Sequence, residues 1–203
     1  MTKSVVILDY GVGNVRSVQK AIAKVYQEPV ITGDVEEIRA SDALILPGVG
    51  AFSAGMEKIS PLFALLHELH THIPILGICL GMQMMFESSE ESSDGVKGLS
   101  LIPGKVVRFP DMPGYKIPHM GWNQIIPTPG DPLFSGIEPN SAVYFVHSYY
   151  ADTAPEYTAA RTEYMFPFSS AVRSDMSWGV QFHPEKSGDV GLSILRNFCS
   201  MIE

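Results

Sequence analysis

The sequence predicts an α/β fold: an open, mostly parallel sheet with helices on both faces and antiparallel strands added in its C-terminal half. Three observations carry this reading. An apolar run at residues 4–8 passes through the turn Asp9-Tyr10-Gly11-Val12-Gly13-Asn14 into apolar residues at Val15, Val18, Ile22 and Val25, a helical spacing. A buried strand, a glycine turn and an amphipathic helix form the opening unit of a doubly wound sheet. The apolar runs at 43–46 and 74–78 repeat that unit, each ending in a glycine-bearing turn with a helical pattern after it. From Gly98 onward the pattern changes to short β-like runs at 106–109, 123–126, 142–146 and 170–172, separated by prolines, as expected of antiparallel additions.

The remaining elements follow in order. Val30-Ile31 is a second short strand, and residues 53–71 form a helix broken at Pro61. That helix ends in His67, His70 and His72. Their spacing differs from the four-residue separation of a zincin pair, so a solvated helix end is expected there and no metal site. The acidic run at 87–95 reads as a surface loop in which one carboxylate is placed to meet a substrate ammonium group. Residues 188–202 close the chain as a helix that docks Leu192, Leu195 and Phe198 on the sheet.

With 203 residues and neither a repeat nor a linker, the chain is expected to form one domain, 1–203. Its formal net charge of −8, without a Lys/Arg cluster, excludes nucleic acid as a partner. No 18-residue apolar run is present, and the apolar start is too short for a signal segment and is interrupted by Asp9. A soluble, cytoplasmic protein without a membrane partner is expected. The two cysteines, Cys79 and Cys199, argue against a disulfide framework and for a reducing compartment, with Cys199 read as packing in the last helix. The run Gly11-Val12-Gly13-Asn14-Val15-Arg16 lacks the third glycine of a dinucleotide fingerprint, so no nucleotide cofactor is inferred.

The chemistry concentrates in Gly77-Ile78-Cys79-Leu80-Gly81, the outline of a nucleophile elbow. A strand ends, the chain turns sharply at Cys79, and a helix begins. At a helix N-terminus the thiolate is favoured over the thiol. The N–H of Leu80 is then aimed at an oxyanion forming on an attacked carbonyl. A buried core cysteine is the competing reading. Near the other end, His183-Pro184-Glu185 places a base and an orienting acid two residues apart, on one face if that segment is extended. The loop Pro47-Gly48-Val49-Gly50 ends the strand before the elbow and is placed to offer a second oxyanion donor.

Together these stretches resemble the class I (triad) glutamine amidotransferases. Pro47-Gly48-Val49-Gly50-Ala51-Phe52, Pro118-His119-Met120-Gly121-Trp122-Asn123 and Tyr144-Phe145-Val146-His147-Ser148-Tyr149 are similar, within that family, to the glutaminase subunits of imidazole glycerol phosphate synthases. The resemblance implies a flavodoxin-like central sheet and a glutaminase that needs no cofactor. Cys79 would attack the glutamine amide, His183 would move protons and Glu185 would hold His183. Val49 and Gly50 would join Leu80 at the oxyanion hole. Gln83, Glu91, His147, Ser148 and Tyr149 would hold glutamine, the last three through their backbones, though the His147 ring alone reads equally as a core histidine. Asn14, Trp122 and Lys186 would face a barrel-shaped (TIM-barrel) cyclase subunit that receives the ammonia. Three readings compete: a glutaminase serving another synthase, a cysteine hydrolase or chaperone-like relative on the same sheet, and a non-catalytic binding module, which the intact set of Cys79, His183 and Glu185 disfavours.

Overall fold

The computed structural model describes residues 3–92 and 95–202. Strand β1 (Val5–Leu8) leads into helix α1 (Val15–Ala23), followed by β2 (Val30–Thr32), α2 (Val35–Arg39), β3 (Ala43–Gly48), α3 (Phe52–Ile59) and α4 (Phe63–Leu69). The elbow joins β4 (Ile75–Cys79) to α5 (Leu80–Met84). Next come β5 (Lys105–Arg108), β6 (His119–Pro127), β7 (Ser141–His147), β8 (Tyr149–Asp152), β9 (Thr158–Tyr164), β10 (Phe166–Ser174), β11 (Ser177–Val180) and α6 (Gly188–Ser200).

The strands run in the order β2-β1-β3-β4-β11-β10-β9-β6-β7, with β8 pairing β10 and β5 off this path. From β2 to β11 every neighbour is parallel, and from β11 to β7 every neighbour is antiparallel. The sheet therefore changes character at β11, whose C-terminal end carries the chain towards His183.

Side-chain alternation along the strands divides the core between the two faces. Val5, Ile7, Ala43, Ile45, Leu76 and Ile78 pack with α1 and α6 in one cluster. Val6, Leu8, Leu44, Leu46 and Ile75 pack with α2, α3, α4 and α5 in the other. Leu195, Phe198 and Cys199 of α6 are buried, whereas Leu192 is only partly so. Pro61 breaks the α3–α4 helix through a 3-10 turn at Ser60–Leu62.

The histidines at the end of α4 point to different partners. His67 Nε2 lies 2.6 Å from the Leu99 carbonyl, and His72 Nδ1 lies 2.9 Å from the Glu68 carbonyl. The acidic run is more structured than a plain surface loop, with Ser88 bridging to Lys97 and Ser89 to Val106. Its Ser93 and Asp94 lie outside the described residues. Among the described residues no helix is long and apolar enough to cross a membrane.

Candidate active site

The elbow is built by close packing of backbone against backbone. A Cβ on Gly81 would lie 1.8 Å from the Leu46 carbonyl oxygen, and one on Gly77 would lie 2.7 Å from the Met82 nitrogen. Only glycine lets β4 and α5 fold back this tightly beside β3. Cys79 takes up the turn at φ 54°, ψ −106°, a conformation that side-chain-bearing residues rarely adopt. Leu80 is the first residue of α5 and has no preceding turn to accept its N–H.

Beside the elbow, Gly48 pairs with Cys79 in the β3–β4 ladder, and a Cβ on Gly48 would meet Gly81, Leu80 and the Tyr10 hydroxyl, all at 2.9 Å. Tyr10 donates its O–H to the Pro47 carbonyl at 2.6 Å. Burial, and then the nearby Cys79, push the Tyr10 pKa well above its ordinary value, so the phenol keeps the proton it donates.

His183 arrives by a route that differs from the expected extended segment. β11 ends at Val180, and Pro184–Lys186 forms a 3-10 turn in which the Lys186 N–H and the Ser187 hydroxyl both donate to the His183 carbonyl. Proline suits the first position of such a turn because it has no N–H to lose. The turn swings the Glu185 carboxylate back onto the ring: His183 Nδ1 and Glu185 Oε1 are 2.8 Å apart, with both side chains almost wholly buried. His183 Nε2 makes no aligned hydrogen bond among the described residues, yet it lies within interaction range of the Cys79 sulfur. Burial alone would lower the His183 pKa, but hydrogen bonding to Cys79 and Glu185 and their charges outweigh it, and the net pKa rises to about 9. The two partners thus favour the protonated form of the imidazole.

Cys79 and His183 line one cavity of about 340 Å³, near the lower end of small-ligand pocket volumes. The expected oxyanion residues Leu80, Val49 and Gly50 and the expected substrate residues Gln83, Glu91, His147, Ser148 and Tyr149 line the same cavity. Pro118 and Val146 complete the wall and had no signal in the sequence that assigned them there. Glu91 accepts the Phe52 N–H at 2.7 Å, so the acidic loop is pinned to the start of α3 by a carboxylate of the cavity wall.

Gln181 was also missed. It is fully buried, donates to Cys79 Sγ at 3.6 Å, and accepts from Gln83 Nε2 at 3.0 Å. Its position two residues before His183 is the only hint the sequence offers. The three residues expected at a partner surface are all exposed. Asn14 caps α1 by accepting the Ser17 N–H, Trp122 is 60% exposed on β6, and the Lys186 ammonium sits 5.9 Å from the Tyr144 ring centroid.

Residues 6–202 match the family described as Glutamine amidotransferase class-I. The chain belongs to the class-I glutamine amidotransferase family. It is 52% identical over 202 residues to a Methanosarcina barkeri relative named imidazole glycerol phosphate synthase subunit HisH, covering 98% of this chain and 99% of that protein. A Bacillus cereus relative of the same name is 46% identical, covering 98% and 95%. Among solved structures, PurLQS from Thermotoga maritima superposes with a TM-score of 0.75 at 18% identity, covering all of both chains. That last likeness bears on the fold alone. As an amidotransferase of this class, the chain carries its elbow cysteine where β4 meets α5, at the same rim of the sheet as the ends of β3 and β11.

Proposed function

We propose that this chain is the glutaminase subunit of an imidazole glycerol phosphate synthase, hydrolysing glutamine and delivering ammonia to a cyclase subunit. One observation carries the chemistry: a strained elbow cysteine shares a small cavity with a histidine that a buried carboxylate orients. Full-length likeness to relatives named as that subunit supports the choice of synthase.

The Cys79 thiolate, paired with the His183 imidazolium, attacks the side-chain amide carbon of glutamine, and the carbonyl oxygen becomes an oxyanion held by the Leu80 N–H. His183, protonated at rest, gives its Nε2 proton to the departing nitrogen, which leaves as ammonia and gives a thioester on Cys79. The neutral imidazole then takes a proton from water as that water attacks the thioester, and glutamate leaves. Glu185 keeps Nδ1 protonated and the ring in register throughout. Glu91 and Gln83 face the substrate's backbone end as charge and hydrogen-bond partners.

A second oxyanion donor comes from turning the Gly48-Val49 peptide so that the Val49 N–H faces the site, worth roughly 3 kcal/mol. In this proposal the turn follows substrate binding to the cyclase, so that turnover rises only once the partner is loaded. The docking face is the outer side of β6 and β7. Met120, Trp122 and Ile126 are exposed there, and Trp122 pairs with Tyr144 across the ladder. Val146, opposite Met120, also lines the cavity, so this apolar face runs up to the mouth of the site. A cyclase seated on it receives ammonia without passage through bulk solvent.

The test is glutamate release by the purified chain alone, with a cyclase subunit, and with that subunit plus its substrate, the ribonucleotide PRFAR. Turnover is expected to rise sharply only in the last condition. Release that ignores the cyclase would favour a glutaminase of another synthase, and no release in any condition would remove the assignment.

A further inference from the structure

The histidine of Pro118-His119-Met120-Gly121-Trp122-Asn123 does not touch the cavity, yet it sits in a run of hydrogen bonds whose direction is fixed at both ends. On β6, Asn123 accepts the Gln124 N–H at its Oδ1 and donates from Nδ2 to the Glu163 carbonyl, so its amide has one permitted orientation. Its Nδ2 also lies 3.2 Å from His119 Nε2, which must therefore accept. A neutral His119 then carries its proton on Nδ1 and donates to His147 Nε2 at 2.9 Å. His147 in turn carries its proton on Nδ1 and donates to the Tyr149 carbonyl at 2.7 Å. Reasoning backwards from that carbonyl, which can only accept, requires the same two tautomers.

The pair is kept neutral by its setting. Both rings are buried; His119 stacks on Tyr164 and Phe145, and His147 packs against Phe109. Burial lowers the pKa of His119 to about 4 and that of His147 to about 3. Beyond Tyr149 the run enters the site. The Tyr149 carbonyl also accepts from Gln83 Nε2 at 3.4 Å, Gln83 donates to Gln181, and Gln181 donates to the Cys79 sulfur.

We propose that His119 is a positioning residue for the glutamine site, holding His147 and the Tyr149 carbonyl so that Gln83 and Gln181 present fixed ends to substrate and to Cys79. This rests on the glutaminase reading. It also gives β6 two jobs on its two faces: Met120 and Trp122 point outward, while His119 and Asn123 point inward along the same five-residue stretch. A partner that shifts β6 acts on the cavity through this run.

The test compares His119→Asn with His119→Gln in the complex with the cyclase. The asparagine amide nitrogen falls near the position of Nδ1 and keeps the donor to His147, whereas the glutamine amide falls near Nε2 and does not. Thermal midpoints of both variants establish folding. Comparable midpoints, a KM for glutamine near wild type in the asparagine variant, and a roughly tenfold higher KM with smaller change in kcat in the glutamine variant are expected. Imidazole nitrogen-15 spectra of the wild-type chain should show His147 protonated on Nδ1 only. Equal KM in the two variants, or a His147 proton on Nε2, would overturn the proposal. Absence of glutamate release by the wild-type complex would sink the glutaminase reading instead, and the nitrogen spectra would still decide the hydrogen-bond run.

Discussion

Cys79 is held in a backbone conformation that costs of order 1–3 kcal/mol for a residue with a side chain. Glycine adopts it freely. Cys79→Gly is therefore expected to be more stable than Cys79→Ala by roughly 1 kcal/mol, the reverse of their usual order, while both lose glutaminase activity; urea midpoints of the two variants check the sign. The His183 imidazole offers a second test. Its folded pKa of about 9 lies above the unfolded value, so its contribution to stability is fully present below about pH 6.5 and is lost as pH rises through about 9. Glu185→Gln removes one of the groups that raise it. The His183 proton resonances of that variant should titrate at lower pH than in the wild type, and kcat should fall by roughly 10²-fold or more. An unchanged titration would mean that Glu185 does not hold the ring.

The buried pair between β6 and β7 predicts the opposite pH response. Folded values of about 4 for His119 and about 3 for His147 lie below the unfolded value, so this stabilisation is present above about pH 6.5 and is lost as pH falls through those values. Thermal midpoints should drop between pH 7 and 4, and the drop should shrink in His147→Gln, which has nothing to protonate there. On the outer face of the same strands, Trp122→Ala is expected to weaken association with the cyclase by roughly tenfold or more while leaving the midpoint of the isolated chain unchanged, because the ring is mostly exposed. Titration calorimetry against the cyclase subunit reads this directly.

Across the whole molecule, legibility followed how locally each feature is encoded. β1, α1, β4 and the elbow carry their own pattern of apolar residues and glycines, and they stand where that pattern put them. α2 spans five residues and buries only Ile38; its start is written in the Asp34 cap, which accepts the Glu36 and Glu37 N–H groups, rather than in any periodicity. β9 buries Thr158, Ala159, Ala160 and Thr162, a run without the bulky apolar alternation that marks a strand, because its sides are covered by neighbours that come from elsewhere in the chain. The site shows the same division. Cys79, His183 and Glu185 are legible because each sits in a short motif. Gln181 and the His119–His147 contact are not, since their meaning arises only when β6, β7 and the residues after β11 are brought beside β4. The turn at Pro184–Lys186 also shows that two residues facing each other at i and i+2 need no strand to do so.

The account depends most on Cys79 and His183 acting as one unit. Treatment of the chain, bound to its cyclase, with a chloroketone analogue of glutamine, followed by peptide mapping, tests this directly. Labelling is predicted on Cys79 and not on Cys199, suppressed by excess glutamine and strongly slowed in His183→Asn. Labelling that ignores glutamine, or that proceeds at the wild-type rate without the imidazole, would contradict it.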